Sequence, residues 1–260
     1  MKIGLVVYSG CMASGLFAFA ELLEVSNQRS GKKHFDYQWA AVDLAPITLS
    51  LGRGAASVVL TPEVSLLEDE LDAILLPGFW SDSPANSELT IASHQVLIEA
   101  LTRLNSNTII WSYCSAVGLL AKTGKLHGHE ATSTWWLAEY LQGTFHDVKW
   151  RFSKTCVFQG MDATASGVNG YLPIAQQVIS TVCGERVLRD VIKVMVIPRP
   201  ETELQPFQAI SVMALEDTLM RKIVLWVEST PAIELLVNGL AQSLNLTERT
   251  LARKVKSRTK

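Results

Sequence analysis

Short, continuously apolar runs separated by longer helical segments are the feature that most constrains how this chain folds. Three of these runs read IGLVV, AILL and TIIW, a pattern typical of strands that are covered on both faces. Strands are predicted at residues 2–8, 37–43, 57–61, 73–76, 108–112, 156–159 and 162–164. Helices are predicted at residues 16–28, 87–104, 116–123, 134–141 and 168–182. This alternation predicts an α/β fold with a doubly wound, mostly parallel sheet of the flavodoxin-like kind.

The composition limits the function classes that the chain can serve. Hydrophobic residues make up 48% of the 260 residues, which is enough for a well-buried core. The net charge of −2 argues against a surface that binds nucleic acid everywhere. The four cysteines are scattered without zinc-ligand spacing, no run is long enough to span a bilayer, and the chain begins directly with a predicted strand. We therefore expect a cytoplasmic, reduced protein with no membrane partner, no metal and no cofactor.

A polar, proline-marked stretch after residue 197 predicts a domain boundary. Pro198, Pro200 and Pro206 lie within it, and the residues that follow are helical in pattern. The predicted domains are an α/β domain at 1–197, a linker at 198–212 and a helical segment at 213–260. Within that segment we predict helices at 215–228, at 231–243 with Thr230 as its N-cap, and at about 248–256 with Thr247 as its N-cap.

The last two helices share an apolar seam, which favours a helix-turn-helix. Ala241 is small enough for close approach, and Asn245 lies in the turn, where a left-handed backbone is usually needed. Polar and basic residues face outward, as the helix that reads DNA requires. The candidate DNA-binding residues are Thr247, Glu248, Arg249, Thr250, Arg253, Lys254 and Lys256. An ordinary helical hairpin with a charged outer face, or a solvated basic terminus, is the alternative.

The stretch TIIWSYCSAVGLL places Cys114 where a strand runs straight into a helix. This is a nucleophile-elbow pattern, in which a sharp turn of strained backbone raises one side chain over the edge of the sheet. The N–H groups that begin the helix would favour a thiolate or a bound anion there. A buried core cysteine is the alternative.

These motifs carry a resemblance to a known family. Residues 1–197 resemble the PfpI-type, class I glutamine amidotransferase-like superfamily through LLPGFW, SYCSAVGLLAKTGKLHG, ATSTWW and DATASGVNGYL. The segment LAQSLNLTERTLARKVK is similar to the first helix-turn-helix of AraC-type regulators. The resemblance implies a DNA-binding transcription regulator, which we expect to be a homodimer. It also implies a second helix-turn-helix, which the sequence lacks, so we expect a truncation or a natural half-reader that binds DNA weakly.

The catalytic residues that the resemblance implies are incomplete. Regulators of this kind usually carry histidine where Thr134 stands and an acidic residue where Pro173 stands, and the first loop offers Ser14 instead of a carboxylate. His127, His129 and Glu130 are close in sequence, but a solvated loop is favoured over a metal site. The other histidines, including His94, have polar, surface-like neighbours. We therefore expect Cys114 to be non-catalytic. The alternative is a cysteine-dependent hydrolase or amidase, or a reactive-thiol stress sensor.

A ligand pocket is expected at the carboxyl ends of the strands, where open α/β sheets bind small molecules. Its candidate residues are Gly10, Cys11, Gly78, Phe79, Trp80, Tyr113, Cys114, Ser115, Thr134 and Trp135, with Trp136 beside them. The aromatic lining suits a methylated amine, and the resemblance implies an amine or amino-acid-derived effector. Alternatively, Trp135 and Trp136 only pack a helix onto the sheet.

Overall fold

A computed structural model describes residues 1–50, 57–68, 70–198 and 217–257. The chain divides into two compact units, Met1–Glu203 and Leu204–Lys260. Most of the predicted linker at 198–212 lies outside the described residues. No helix in the described ranges combines the length and the apolar composition that crossing a membrane requires.

The first unit is built on a seven-stranded sheet. The strands of this unit are β1 (Lys2–Val6), β2 (Asp36–Ala41), β3 (Ile47–Ser50), β4 (Ser57–Leu60), β5 (Val64–Ser65), β6 (Ala73–Leu76), β7 (Ile109–Tyr113), β8 (Glu130–Ala131), β9 (Lys149–Trp150), β10 (Cys156–Gln159) and β11 (Asp162–Ala165). The order across the main sheet is β10-β11-β7-β6-β1-β2-β5. Every neighbouring pair in it is parallel except β10 and β11, so the predicted mostly parallel α/β sheet is confirmed.

In the part of the first unit that the structure describes, seven α-helices flank this sheet. They are α1 (Ser14–Ser30), α2 (Pro84–Ser93), α3 (Gln95–Arg103), α4 (Ala116–Lys122), α5 (Ala138–Thr144), α6 (Tyr171–Cys183) and α7 (Glu185–Met195). Helices α1, α6 and α7 pack against one another, and α3 packs against α4. The side chains of Leu5, Leu75 and Trp111 are 0% exposed in the central strands. Burial of such apolar side chains is the main favourable contribution to folding.

The strands differ from the sequence-based prediction in number, bounds and pairing. β3, β5, β8 and β9 were not predicted, and β1 and β2 each end two residues earlier than predicted. The segment predicted at 57–61 does not join the main sheet but pairs with β3 as an antiparallel hairpin. β11, which pairs with β7, extends one residue further than predicted, to Ala165. β8 and β9 are two residues long each and pair with one another. Their pairing joins segments that are far apart in sequence, which a pattern of apolar residues does not reveal.

The helix predictions also need correction. The helix predicted at 87–104 is two helices, because the backbone leaves helical geometry at His94 (φ −96°, ψ 36°) between α2 and α3. The helix predicted at 134–141 begins as a 3₁₀ turn at Trp135–Leu137 and continues as α5. Residues 168–170 precede α6 instead of belonging to it, and α7 was not predicted.

The second unit contains α8 (Thr218–Ser229), α9 (Val237–Ser243) and α10 (Glu248–Lys256). The cap predicted at Thr230 is wrong, because its hydroxyl donates back to the carbonyl of Trp226 (2.6 Å) and a 3₁₀ turn at Ala232–Glu234 follows. The predicted cap at Thr247 is confirmed, since its hydroxyl accepts the N–H of Thr250 at 3.2 Å. The left-handed backbone predicted at Asn245 is also confirmed, with φ 53°.

The packing of β6 leads to a prediction on stability. We expect Leu75→Ala to lower the free energy of unfolding by about 2–5 kcal/mol, because it removes buried methyl groups and leaves a cavity. Leu89→Ala is the matched control, since Leu89 is 68% exposed and its removal should change stability by less than about 0.5 kcal/mol. Urea denaturation measures both changes, and equal losses would contradict the packing described here.

Candidate functional site

Cys114 occupies a strained turn between β7 and α4. Its φ is 59°, a left-handed conformation that residues other than glycine adopt rarely. The N–H of Cys114 donates to the carbonyl of Ala165 (2.9 Å), and the Ser133 hydroxyl donates to the carbonyl of Cys114 (2.8 Å). Both peptide groups of the turn are therefore fixed by neighbouring segments, and the predicted elbow is confirmed.

The loop after β6 is locked against this elbow. A methyl group added at Gly78 would lie 2.7 Å from Cβ of Cys114, so only glycine allows the two backbones to approach this closely. The Ser115 hydroxyl accepts the N–H of Phe79 (2.8 Å) and donates to the carbonyl of Phe79 (2.6 Å). The loop and the elbow therefore behave as one hydrogen-bonded block.

The loop after β1 joins the same block. Cys11 forms an isolated bridge with Phe79, and the N–H of Met12 donates to the carbonyl of Gly78 at 2.8 Å. Burial raises the pKa of the Cys11 thiol to about 11. Six of the predicted ligand-binding residues are thus brought together, namely Cys11, Gly78, Phe79, Tyr113, Cys114 and Ser115.

The other predicted pocket residues take different positions. Trp80 is 78% exposed, so its ring is largely in solvent. Gly10 is exposed, with φ 81° and no atom within 4 Å of an added methyl group. Thr134 is buried at 5% exposure, but its neighbour Ser133 is the residue that bonds to Cys114. Trp135 is half-buried in the 3₁₀ turn that precedes α5.

Tyr8 and His94 are site neighbours that the sequence did not indicate. The Tyr8 hydroxyl donates to the carbonyl of Pro77 at 2.5 Å. The His94 ring packs edge-on to Tyr8 (5.1 Å between ring centres) and nearly parallel to Phe79 (6.5 Å). Its Nε2 is 3.0 Å from the carbonyl oxygen of Ser9. His94 is half-buried and keeps polar contacts, and its ring also packs against the loops after β1 and β6, which its neighbours in sequence did not indicate.

The site favours a protonated thiol at Cys114. Burial raises the pKa of this thiol above its ordinary value, and hydrogen bonds from Ser115 oppose that rise. The Ser115 hydroxyl has a single proton, which its bond to the Phe79 carbonyl already uses, so the Ser115 N–H is the donor that remains for sulfur. The neighbouring Tyr113 hydroxyl is buried, has no hydrogen-bond partner among the described residues, and has a raised pKa, chiefly through burial.

The polar residues after α4 are engaged with other side chains. Arg151 pairs with Glu130 at 2.6 Å, which lowers the pKa of the Glu130 carboxyl group. The Nδ1 of His129 is 3.3 Å from the side-chain oxygen of Gln159. Within the described ranges, no three histidine, cysteine or carboxylate side chains cluster as metal ligands would.

In the second unit, α9 and α10 pack through an apolar seam. Ala241 and Leu251 are 2% and 3% exposed, and the N–H of Leu246 donates to the carbonyl of Ala241 at 2.8 Å. Arg249, Arg253 and Lys256 are exposed on α10. The Thr247 hydroxyl accepts the N–H of Thr250 in capping and also donates to the hydroxyl of Thr250 at 2.9 Å, so it is less available to DNA than predicted.

The fold and the elbow define a class of α/β proteins with a mostly parallel sheet and a cysteine at the turn between a sheet strand, here β7, and the following helix. Comparison with solved structures finds the same fold in a THiJ/PfpI family protein from Pseudomonas syringae, with a TM-score of 0.61 and 20% identity over 87% of this chain and 86% of that one. An AraC family transcriptional regulator from Pseudomonas putida matches with a TM-score of 0.55 and 14% identity, over 75% of this chain and 98% of that one. Drosophila melanogaster DJ-1beta matches with a TM-score of 0.57 and 19% identity, over 76% of this chain and 98% of that one.

These likenesses establish the fold of the first unit. No protein-family model matches the sequence, and no curated protein matches it closely enough to count as a relative. Transcription regulators are among the proteins that share the fold.

The contact between Gly78 and Cys114 leads to a prediction. We expect Gly78→Ala to lower the free energy of unfolding by about 1–3 kcal/mol, because the new methyl group forces two packed loops apart. Gly143→Ala in α5 is the matched control, since nothing lies within 4 Å of its added methyl group. That control should keep or raise stability by up to about 1 kcal/mol, because alanine favours helix. Thermal and urea unfolding compare the two, and equal tolerance would contradict the close approach.

The raised pKa of Cys114 predicts how its alkylation depends on pH. Iodoacetamide reacts with the thiolate, so a raised pKa moves the rise of the rate to higher pH than the value of roughly 8.5 for a free cysteine. Mass spectrometry of the Cys114 peptide gives the midpoint, and the urea-denatured chain is the reference. Burial slows the alkylation at every pH, so the absolute rate does not report the pKa. The pH at the midpoint of the rise in rate is therefore the quantity to compare. A folded midpoint below the reference would contradict the prediction.

Proposed function

We propose that the chain is a DNA-binding transcription regulator whose first unit binds a small metabolite and performs no catalysis. The observation that carries this proposal is the state of Cys114. Its elbow is intact, yet its hydrogen-bond partners are serines and backbone groups, and its pKa is raised instead of lowered. A cysteine nucleophile needs a base or a cation that stabilises its thiolate. The occurrence of this fold in an AraC family transcriptional regulator supports the proposal.

The α9–α10 pair is the proposed DNA reader. A short recognition helix with exposed Arg249, Arg253 and Lys256 offers donors to phosphates, as a helix-turn-helix requires. A single pair of this kind makes few phosphate contacts. We therefore expect binding in the non-specific range, with dissociation constants of roughly 10⁻⁴ to 10⁻⁶ M that weaken further as salt rises. We propose that the regulator acts as a homodimer.

The proposed effector site is the elbow end of the first unit. Parallel sheets bind ligands at the carboxyl ends of their strands, and here the loops after β1, β6 and β7 are locked together at that end. The exposed ring of Trp80 lies on the loop after β6, and the half-buried ring of Trp135 lies in the 3₁₀ turn that follows β8. Aromatic faces attract organic cations, so an amine or amino-acid derivative is the proposed effector class.

A reactive-thiol sensor or a cysteine hydrolase is the second candidate. The left-handed backbone of Cys114 favours it, because strained conformations concentrate at functional sites. The raised pKa of the thiol speaks against it. The alkylation midpoint separates the two candidates, since a reactive cysteine requires a lowered pKa.

DNA binding is tested with the full chain and variants of α10. Arg253→Ala should weaken binding to a mixed-sequence duplex and lower the slope of log affinity against log salt by about 1, because one phosphate contact is lost. Lys32→Ala, an exposed charge in the first unit, is the matched control and should leave the slope unchanged. Calorimetry with glycine betaine and with a panel of amino acids tests effector binding. If Arg253→Ala leaves the salt slope unchanged, the DNA-binding half of the proposal is contradicted. If no compound gives heat, the effector-binding half is contradicted.

A further inference from the structure

A cavity of about 320 Å³ lies at the end of the sheet opposite the elbow. It is bounded by the start of β7, the start of β11, the end of β10 and the loop after α4. Ile110 lines it, and Cys114 follows four residues later at the other end of the same strand, so the two sites are about 13 Å apart at the usual rise of a strand. The proposed effector site makes no use of this cavity.

The cavity has an apolar floor. Its apolar lining residues are Ile110, Leu120, Leu126, Val157 and Ala163, all buried. They come from three strands of the main sheet (β7, β11 and the edge strand β10), from α4 and from the loop that follows α4. A concave apolar surface with a few polar groups around it is the usual form of a small-molecule site.

Two opposite charges lie at the rim, and neither has an ionic partner among the described residues. Lys125 uses one of its three donors on the carbonyl of Leu104 (3.3 Å). Asp162 accepts the N–H of Ile110 on Oδ1 (2.6 Å), which leaves Oδ2 available. The other carboxylate at the rim, Glu130, is already neutralised by Arg151. The cavity therefore offers one cation and one carboxylate above an apolar floor.

We propose that this cavity binds a free α-amino acid with an apolar side chain. The ligand carboxylate pairs with Lys125, its ammonium group pairs with Oδ2 of Asp162, and its side chain covers the apolar floor. A zwitterion satisfies both rim charges at once, whereas a purely anionic or purely cationic ligand leaves one of them without a partner. Lys125 is half-buried, so its pairing with a carboxylate gains more than the pairing of the exposed Asp162 with an ammonium group.

Calorimetry of the full chain with L-leucine and two analogues tests the proposal. Leucinamide lacks the carboxylate, and 4-methylpentanoate lacks the ammonium group. We expect L-leucine to bind at least tenfold more tightly than either analogue. Absence of heat with L-leucine at millimolar concentration, or equal affinity for all three compounds, would overturn the proposal.

Charge variants assign each half of the ligand. Lys125→Met should weaken L-leucine at least tenfold and leave leucinamide unchanged. Asp162→Asn should weaken L-leucine to the same extent and leave 4-methylpentanoate unchanged, while its side-chain oxygen still accepts the Ile110 N–H. A misfolded variant would lose its affinity for all three compounds. Selective loss of L-leucine affinity therefore distinguishes the removal of a ligand contact from unfolding.

Matched controls complete the experiment. Lys122→Met and Asp147→Asn remove exposed charges outside the cavity and should leave L-leucine binding unchanged. Trp80→Ala, at an exposed residue of the proposed effector site, should also leave it unchanged, because the elbow lies at the other end of the sheet. Loss of L-leucine binding in Trp80→Ala would place the amino acid at the elbow and overturn the assignment, whatever the outcome for DNA binding.

Discussion

The alignment of β7 with β11 is the constraint on which the rest of the first unit depends. At one end of the pair, the N–H of Cys114 is held by the carbonyl of Ala165, and at the other the N–H of Ile110 is held by Asp162. A left-handed residue other than glycine disfavours the fold by about 1–2 kcal/mol and persists only where its surroundings fix it. Gly78 and Ser133 complete those surroundings. The same strand pairing therefore fixes both the elbow and the floor of the opposite cavity.

The central strands of this fold could be predicted because each is a continuous apolar run, and β6 was predicted to the residue. The break between α2 and α3 at His94 could not be predicted, because no glycine or proline marks it and the apolar spacing continues across it. The 57–61 segment has strand character, but nothing local tells a main-sheet strand from a hairpin arm. Register and pairing depend on tertiary contacts, whereas the propensity to form a strand does not.

The elbow could be predicted from a strand that runs into a small-residue helix start at Cys114. The residues that support it could not be predicted, because their role follows from distance in space and not from a motif. Ser133 bonds to the carbonyl of Cys114 without belonging to any recognisable motif, and His94 packs against Tyr8, which is 86 residues away in sequence. The motif LLPGFW contains Trp80 but does not show that its ring lies mostly in solvent. The two rim charges of the second cavity, Lys125 and Asp162, are 37 residues apart in sequence, too far for any local pattern to connect them.

The place of β1 in the sheet has a consequence for how the chain is made. β1 precedes the other strands of the sheet along the chain, and it lies in the interior of the sheet, between β2 and β6. Its register with β6 pairs Ile3 with Ala73, so one of its edges stays open until that later stretch has been synthesised. Pairing across such separations is slow, and an open apolar edge is a template for association with other chains. Nascent chains that end before β6 are therefore the ones that most need protection from aggregation.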